Sequence, residues 1–263
     1  VVNYLNSVNF TIIVSTGRTG TEFLAHALPQ IYPCIHAEHE PYPDGFVLGT
    51  QYHRENYSNE RVIEQYLKMR KPVLERLEQS NKTIYVESNN NLVMFLPALI
   101  EFFPRLKVIH VERSPLSYIR SAISNVQQSR YTLFSDTDPR ARLNAKDFPD
   151  DPEFHTWEEF SQFEKLCWHW KKYNQLIESS IKQPLNYLKI SHQKLFESDT
   201  LNEFNKFSKF IDPTLATSSD KILSCFSNPR NQVKEYSIGS FEDWGTTKIR
   251  AFERIIGPIK DYL

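Results

Sequence analysis

Three stretches of this 263-residue chain combine side chains whose types and spacing suit chemistry on anions. The first is Ser15-Thr16-Gly17-Arg18-Thr19-Gly20-Thr21, an arginine between two glycines with hydroxyls on either side. Gly17 and Gly20 let the backbone close round a phosphate, Thr19 and Thr21 offer hydroxyl donors, and Arg18 offers a permanent fork of N–H groups. A helix starting at Thr21 would aim its unpaired amides and the positive end of its dipole at the same point. A nucleotide-hydrolysing loop places a lysine and a magnesium-holding hydroxyl directly after its last glycine; here Gly20 is followed by Thr-Glu-Phe. The second stretch holds Arg113, with Ser121 eight residues on, about two turns into a helix opened by Pro115.

The third stretch, "CIHAEHEPYP", carries groups able to move a proton: His36, Glu38, His39 and Glu40. If it is extended, His36, Glu38 and Glu40 share one face and His39 the other. Crowded carboxylates lift one pKa toward neutrality, which makes a general base. The order of preference is Glu40, then His39, then Glu38, with Glu87 in reserve at another strand end. The same cluster would suit a transition metal, a pair of glycosidase carboxylates or a plain turn set by Pro41. No zinc spacing is present, however, and glycosidase pairs come from separate elements.

The elements that position these groups follow from hydrophobic pattern. Apolar or β-branched runs at 10–15, 83–87, 106–112 and 185–190 read as strands. Between them, 3.6-residue periodicity predicts helices over 21–28, 59–79, 92–103, 116–128, 157–181, 201–210 and 246–263. The alternation predicts an α/β fold, a mostly parallel sheet flanked by helices in a single domain. Ligands of such sheets sit outside the carboxyl ends of the strands, so Arg18 and Arg113 should face one crevice. Asn89 to Asn91 read equally well as helix caps. Trp157, Phe160, Phe163, Trp168 and Trp170 read as core around the long helix. Residues 129–155 are polar and proline-punctuated, the pattern of a lid or substrate loop. Their Asp147, Asp150, Asp151 and Glu153 suggest a cationic acceptor.

Composition excludes several classes. Lys plus Arg number 31 against 32 Asp plus Glu, so no global positive field draws the chain to nucleic acid or an anionic membrane. No window approaches the roughly 18 to 20 apolar residues of a membrane span. Cys34, Cys167 and Cys225 are widely spaced and odd in number, which reads as reduced thiols in a cytoplasmic setting.

"STGRTGTEF" followed by "FPRLKVIHVERSPLSYIRSAIS" resembles the two cofactor signatures of the sulfotransferases that use 3′-phosphoadenosine-5′-phosphosulfate (PAPS), in their bacterial and carbohydrate-modifying form. "YLKISHQKLFES" and "IGSFEDWGTTKIRAFERIIGPIKDYL" are similar to later elements of that family. The resemblance implies a P-loop-like sulfotransferase domain over 1–263. It implies transfer of a sulfuryl group from PAPS to a hydroxyl or amine of a small-molecule or carbohydrate acceptor, with release of the bisphosphate PAP and no metal. Arg18 matches the catalytic basic position; Thr19, Gly20, Thr21 and Glu22 match the 5′-phosphate contacts. Phe23 matches the aromatic beside adenine, and Arg113 with Ser121 the 3′-phosphate pair. Two departures stand out: His192-Gln193-Lys194 replaces a Tyr-Glu-Asp, and Ser237-Ile238-Gly239 stands where cytosolic members carry Arg-Lys-Gly. The alternatives from other classes are a nucleoside or small-molecule kinase on the same strand-loop-helix unit, and a nucleotide-sensing module without turnover.

Overall fold

The computed structural model describes residues 7–80, 82–128, 142–182, 184–227 and 236–263. The chain enters through β1 (Asn9–Val14), whose six residues are buried beyond the first, and after a tight loop continues as α1 (Thr21–Ile31). Next come β2 (Ile35–His39), α2 (Phe46–Glu55), α3 (Asn59–Gln79) and β3 (Ile84–Ser88). A 3₁₀ turn over Asn90–Phe95 leads into α4 (Leu96–Phe102), then β4 (Lys107–Glu112) and α5 (Pro115–Gln128). The remaining elements are α6 (Gln162–Ser180), β5 (Tyr187–Ser191), α7 (Thr200–Ile211), α8 (Ser219–Phe226) and α9 (Thr246–Ile255).

The five strands lie in the order β2-β3-β1-β4-β5 and every pair is parallel. Side-chain alternation along the central strand explains the two faces. Phe10, Ile12 and Val14 join a core with α3, α4 and part of α6, whereas Ile13 joins one with α1, α7 and α8. A third core gathers α5, α6 and α9 around Trp157, Trp168, Trp170 and Trp244, so the tryptophans pack the interior. In the sheet Ile13 pairs with Ser88 and Val14 with His110, so the loops leaving β1, β3 and β4 emerge side by side.

Several boundaries differ from the sequence reading. The segment Ile35–His39 is a full edge strand although only Ile35 of it is buried. The predicted helix over 157–181 begins at Gln162, where Ser161 and Glu164 form a capping box, and Trp157–Glu159 is a separate 3₁₀ turn. The closing helix stops at Ile255 because Gly257 adopts φ 133° and Pro258 follows. The candidate lid divides: residues 129–141 lie outside the described residues, and 142–155 fold back on the body through a capped turn at Ala145–Asp147.

Candidate active site

The loop between β1 and α1 is shaped by backbone conformation. Gly17, Arg18 and Gly20 all lie in the left-handed region, at φ 86°, 58° and 76°. Successive left-handed turns direct main-chain N–H groups into a concavity, and a non-glycine residue there is strained by about 1–3 kcal/mol unless its surroundings hold it. Ser15 supplies much of that hold. Its hydroxyl accepts from the amide of Gly17 (3.0 Å) and the hydroxyl of Thr19 (2.6 Å), and donates to Asn90 Oδ1 (2.6 Å). Gly20 caps α1 without any side-chain partner, so the first amides of the helix are left to an external anion. The Thr19 hydroxyl, expected to face a phosphate, is turned to Ser15 instead.

The second motif closes on the first. Arg113 donates through Nη1 to the main-chain carbonyl of Arg18 (2.6 Å) and through Nε to Ser117 (3.0 Å). Arg18 donates through Nε to Ser121 (3.3 Å), the residue two turns into α5. Burial lowers the pKa of both guanidinium groups from the ordinary arginine value, and the two cations oppose each other. Among the described residues no carboxylate forms an ion pair with Arg113. Close by, Phe23 packs edge-on against Phe196 (5.7 Å) and Phe226 (4.8 Å), and Phe196 covers Gly20 so closely that any side chain there would strike its ring. His192 stacks near Phe196, and burial with the neighbouring Arg113 pushes its pKa down to about 3, which keeps the ring neutral.

The candidate bases separate. β2 ends at His39, and Glu40 leaves the strand with φ 41°, its amide donating to the carbonyl of Ser88 (2.9 Å). Extended alternation therefore breaks at Glu40, which does not share the face of His36 and Glu38. Its Oε1 accepts from Asn90 Nδ2 (3.4 Å), which also reaches the Thr21 hydroxyl (3.3 Å). Asn90 thus ties Glu40, Ser15 and the start of α1 into one group, a role its sequence neighbourhood did not reveal; Asn89, by contrast, is a cap for Asn91. His39 is held by Nδ1 against the Ser88 carbonyl (3.1 Å).

Two expected bases are engaged by other side chains. Glu38 accepts from Arg76 (2.7 Å) and pairs with His36 (2.9 Å). Burial works to raise its pKa, but those hydrogen bonds prevail and leave it lowered, which weakens it as a base. Glu87 is fully buried, and its two oxygens accept from Arg70, Tyr66, Tyr85 and Asn89, so no lone pair is left for a substrate proton. The same Arg70 donates to the carbonyls of Pro41 and Pro43, anchoring the turn just beyond Glu40.

The acidic run over 147–153 is also paired within the fold at three of its residues. Asp147 pairs with Arg54 (2.7 Å), Asp151 accepts from Lys172 and Trp168 (3.0 Å each), and Glu153 pairs with Arg254 (3.1 Å). Three of the run's four carboxylates are thus engaged within the fold, and Asp150 is exposed. Among the described residues no cluster of three or more His, Cys, Asp or Glu is arranged for a metal ion, and no helix is long and apolar enough to cross a membrane.

A family model described as the sulfotransferase domain matches residues 11–198, well over half of the chain and the whole span from β1 to β5. The chain belongs to the sulfotransferase family. The sulfotransferase domain from the curacin biosynthetic pathway aligns over 88% of this chain and 81% of its own, with 12% identity and TM-score 0.50. A mouse sulfotransferase, SULT7A1, solved in complex with PAP, aligns over 97% and 86%, with 13% identity and TM-score 0.50. At such identities these likenesses bear on the fold of this sulfotransferase alone. No curated protein matches its sequence significantly.

Proposed function

We propose that this sulfotransferase moves a sulfuryl group from PAPS to a hydroxyl or amine of a small-molecule or carbohydrate acceptor and releases PAP. The observation that carries this reading is the meeting of Arg18, Arg113 and Ser121 at the uncapped start of α1, a cationic cradle with two anchoring ends. The chemistry suits a doubly anionic nucleotide: the amides after Gly20 and the guanidinium of Arg18 would hold the 5′ end, and Arg113 the 3′-phosphate. The aromatic group of Phe23, Phe196 and Phe226 offers apolar surface for the adenine. PAP bound to the mouse relative supports the choice of nucleotide.

PAPS supplies an already activated sulfuryl group, whose bond to the phosphate oxygen breaks as its bond to the acceptor forms. Glu40 takes the acceptor's proton as that happens, and Asn90 fixes the carboxylate beside Thr21 for the task. Arg18 cannot give up a proton, so it acts on the developing charge of the phosphate oxygen by electrostatics. Cys34, Cys167 and Cys225 are free thiols, which accords with a cytoplasmic setting.

Titration calorimetry with PAP and with ATP, each in chelator and in magnesium, tests the reading against a kinase. A sulfotransferase of this kind binds PAP in chelator and ATP poorly under either condition. Magnesium-dependent ATP binding stronger than PAP binding would overturn it.

A further inference from the structure

An open cleft lies beside the phosphate loop, lined on its polar side by Ser15, Thr16, Asn90 and Arg142 and on its apolar side by residues such as Phe46 and Tyr173. Among the described residues, Arg142 is the one charged side chain in its wall. The way that guanidinium is held is distinctive. Its Nη1 lies 2.7 Å from His169 Nε2 and 3.5 Å from the carbonyl of Thr16.

A guanidinium has no acceptor, so Nε2 of His169 must present its lone pair and the ring proton must sit on Nδ1, facing the Tyr118 hydroxyl at 2.8 Å. His169 is therefore neutral as well as fully buried, and burial together with Arg142 keeps its pKa well below the ordinary value. No carboxylate forms an ion pair with Arg142 among the described residues. Nearby Asp147 and Asp151 are already taken by Arg54 and by Lys172 and Trp168. A methyl group added at Gly17 would stand 3.8 Å from Nη2, so the guanidinium borders the phosphate loop. Among the described residues the fold thus places a positive charge in the wall of the cleft, orients it through neutral partners and gives it no counter-charge. Across the cleft, Asn90 connects the wall to Glu40.

Resting on the sulfotransferase reading, we infer that this cleft receives the acceptor, and that the acceptor is a small molecule carrying an anionic group, a carboxylate, sulfate or phosphate, which Arg142 engages. The hydroxyl or amine to be modified then lies on the Asn90 side, within reach of Glu40. Arg142 is a specificity-determining residue in this arrangement, tied to the phosphate loop through the Thr16 carbonyl.

A transfer screen with PAPS and a panel of hydroxyl- and amine-bearing metabolites tests this, scored by the mass gain of one sulfuryl group. The panel is built from scaffolds present in anionic, neutral and cationic forms, such as 4-hydroxyphenylacetate, tyrosol and tyramine. The expected result is turnover favouring the anionic members. In Arg142→Gln the KM for the best of them rises about 10- to 100-fold, the loss of a charge-assisted hydrogen bond. The charge-keeping Arg142→Lys retains most of the preference, and PAP affinity is unchanged in both variants. Turnover confined to neutral or cationic members, or a KM that Arg142→Gln leaves unmoved, overturns the inference while the sulfotransferase reading stands. A parallel loss of PAP affinity in Arg142→Gln assigns the residue to the nucleotide and also overturns it. Failure of the wild-type chain to bind PAP at all would sink the reading on which it rests.

Discussion

At the end of β3, Arg70 meets both oxygens of Glu87 at 2.7 to 3.0 Å, and two tyrosine hydroxyls and an asparagine complete the carboxylate's shell. At the end of β4, two strands away, Arg113 meets Ser117, Tyr236 and a main-chain carbonyl, and among the described residues it forms no ion pair with a carboxylate. Both are arginines sheltered at the same edge of one sheet, and their environments act on the charge in opposite senses. Burial works to lower the pKa of Arg70, but Glu87 reverses it and leaves it raised; at Arg113 burial outweighs the opposing influence of Tyr236 and Glu197, and its pKa falls. A compensated buried pair is a brace: it fixes Pro41 and Pro43 and through them the turn of Glu40. An uncompensated sheltered cation is a cost to folding that a bound anion offsets, and such groups concentrate where ligands are held.

The contrast can be broken by exchanging expectations between the two regions. The largest effect belongs to the reacting groups at the uncompensated end. Glu40→Gln should lower kcat by about 10² to 10⁴ with PAP affinity retained, as the loss of a general base does. Arg18→Ala should lower kcat by about 10² to 10³. An unaltered kcat in either variant would remove it from the chemistry.

The braced region should respond in stability. Glu87→Ala strands a buried guanidinium and two hydroxyl donors, for which a loss of about 3–5 kcal/mol is expected in the urea midpoint. Should the variant unfold at the wild-type midpoint, the brace is not one.

A smaller effect comes from buried neutral histidines. Burial holds His110 at about 4 against the ordinary 6.5, with Asn174 and Tyr187 on its two nitrogens. Between those values the unfolded chain binds a proton that the folded chain refuses. Stability from this group is therefore whole above pH 6.5 and declines as pH falls toward 4, by about 1.4 kcal/mol per unit. Unfolding midpoints across that window should show the decline, and His110→Gln should lessen it, leaving the part that His169 and His192 contribute.

What could be read from sequence had a local cause. Gly17-Arg18-Thr19-Gly20 announces its loop because the needed conformations belong to those residues, and Ser121 follows from a helix that opens at Pro115 just after Arg113. β1, β3, β4 and β5 are β-branched runs, whereas β2, with its IHAEH pattern, is a polar edge strand whose extended form is dictated by pairing with β3. The helix α2 was missed because it buries only Gly49 and Thr50 and so carries almost no apolar period. Glu40 was expected on the face of Glu38, and a single left-handed residue moved it to the other partners. Asn90 and Arg142 act through contacts 75 and 126 residues distant, which no local pattern encodes. The ion pairs of Asp147, Asp151 and Glu153 are hidden from the sequence for the same reason, since their cationic partners lie on α2, α6 and α9.

The division between brace and cradle comes down to one residue and one titration. Thermal unfolding of the wild type and of Arg113→Ala, each with and without PAP in chelator, separates a cation held for the fold from one held for a ligand. The account predicts that Arg113→Ala melts at or above the wild-type temperature without PAP, and that it loses most of the PAP-induced rise in Tm seen in the wild type. A variant that melts several degrees lower, as the Glu87 variant should, or that keeps the full PAP shift, would contradict it.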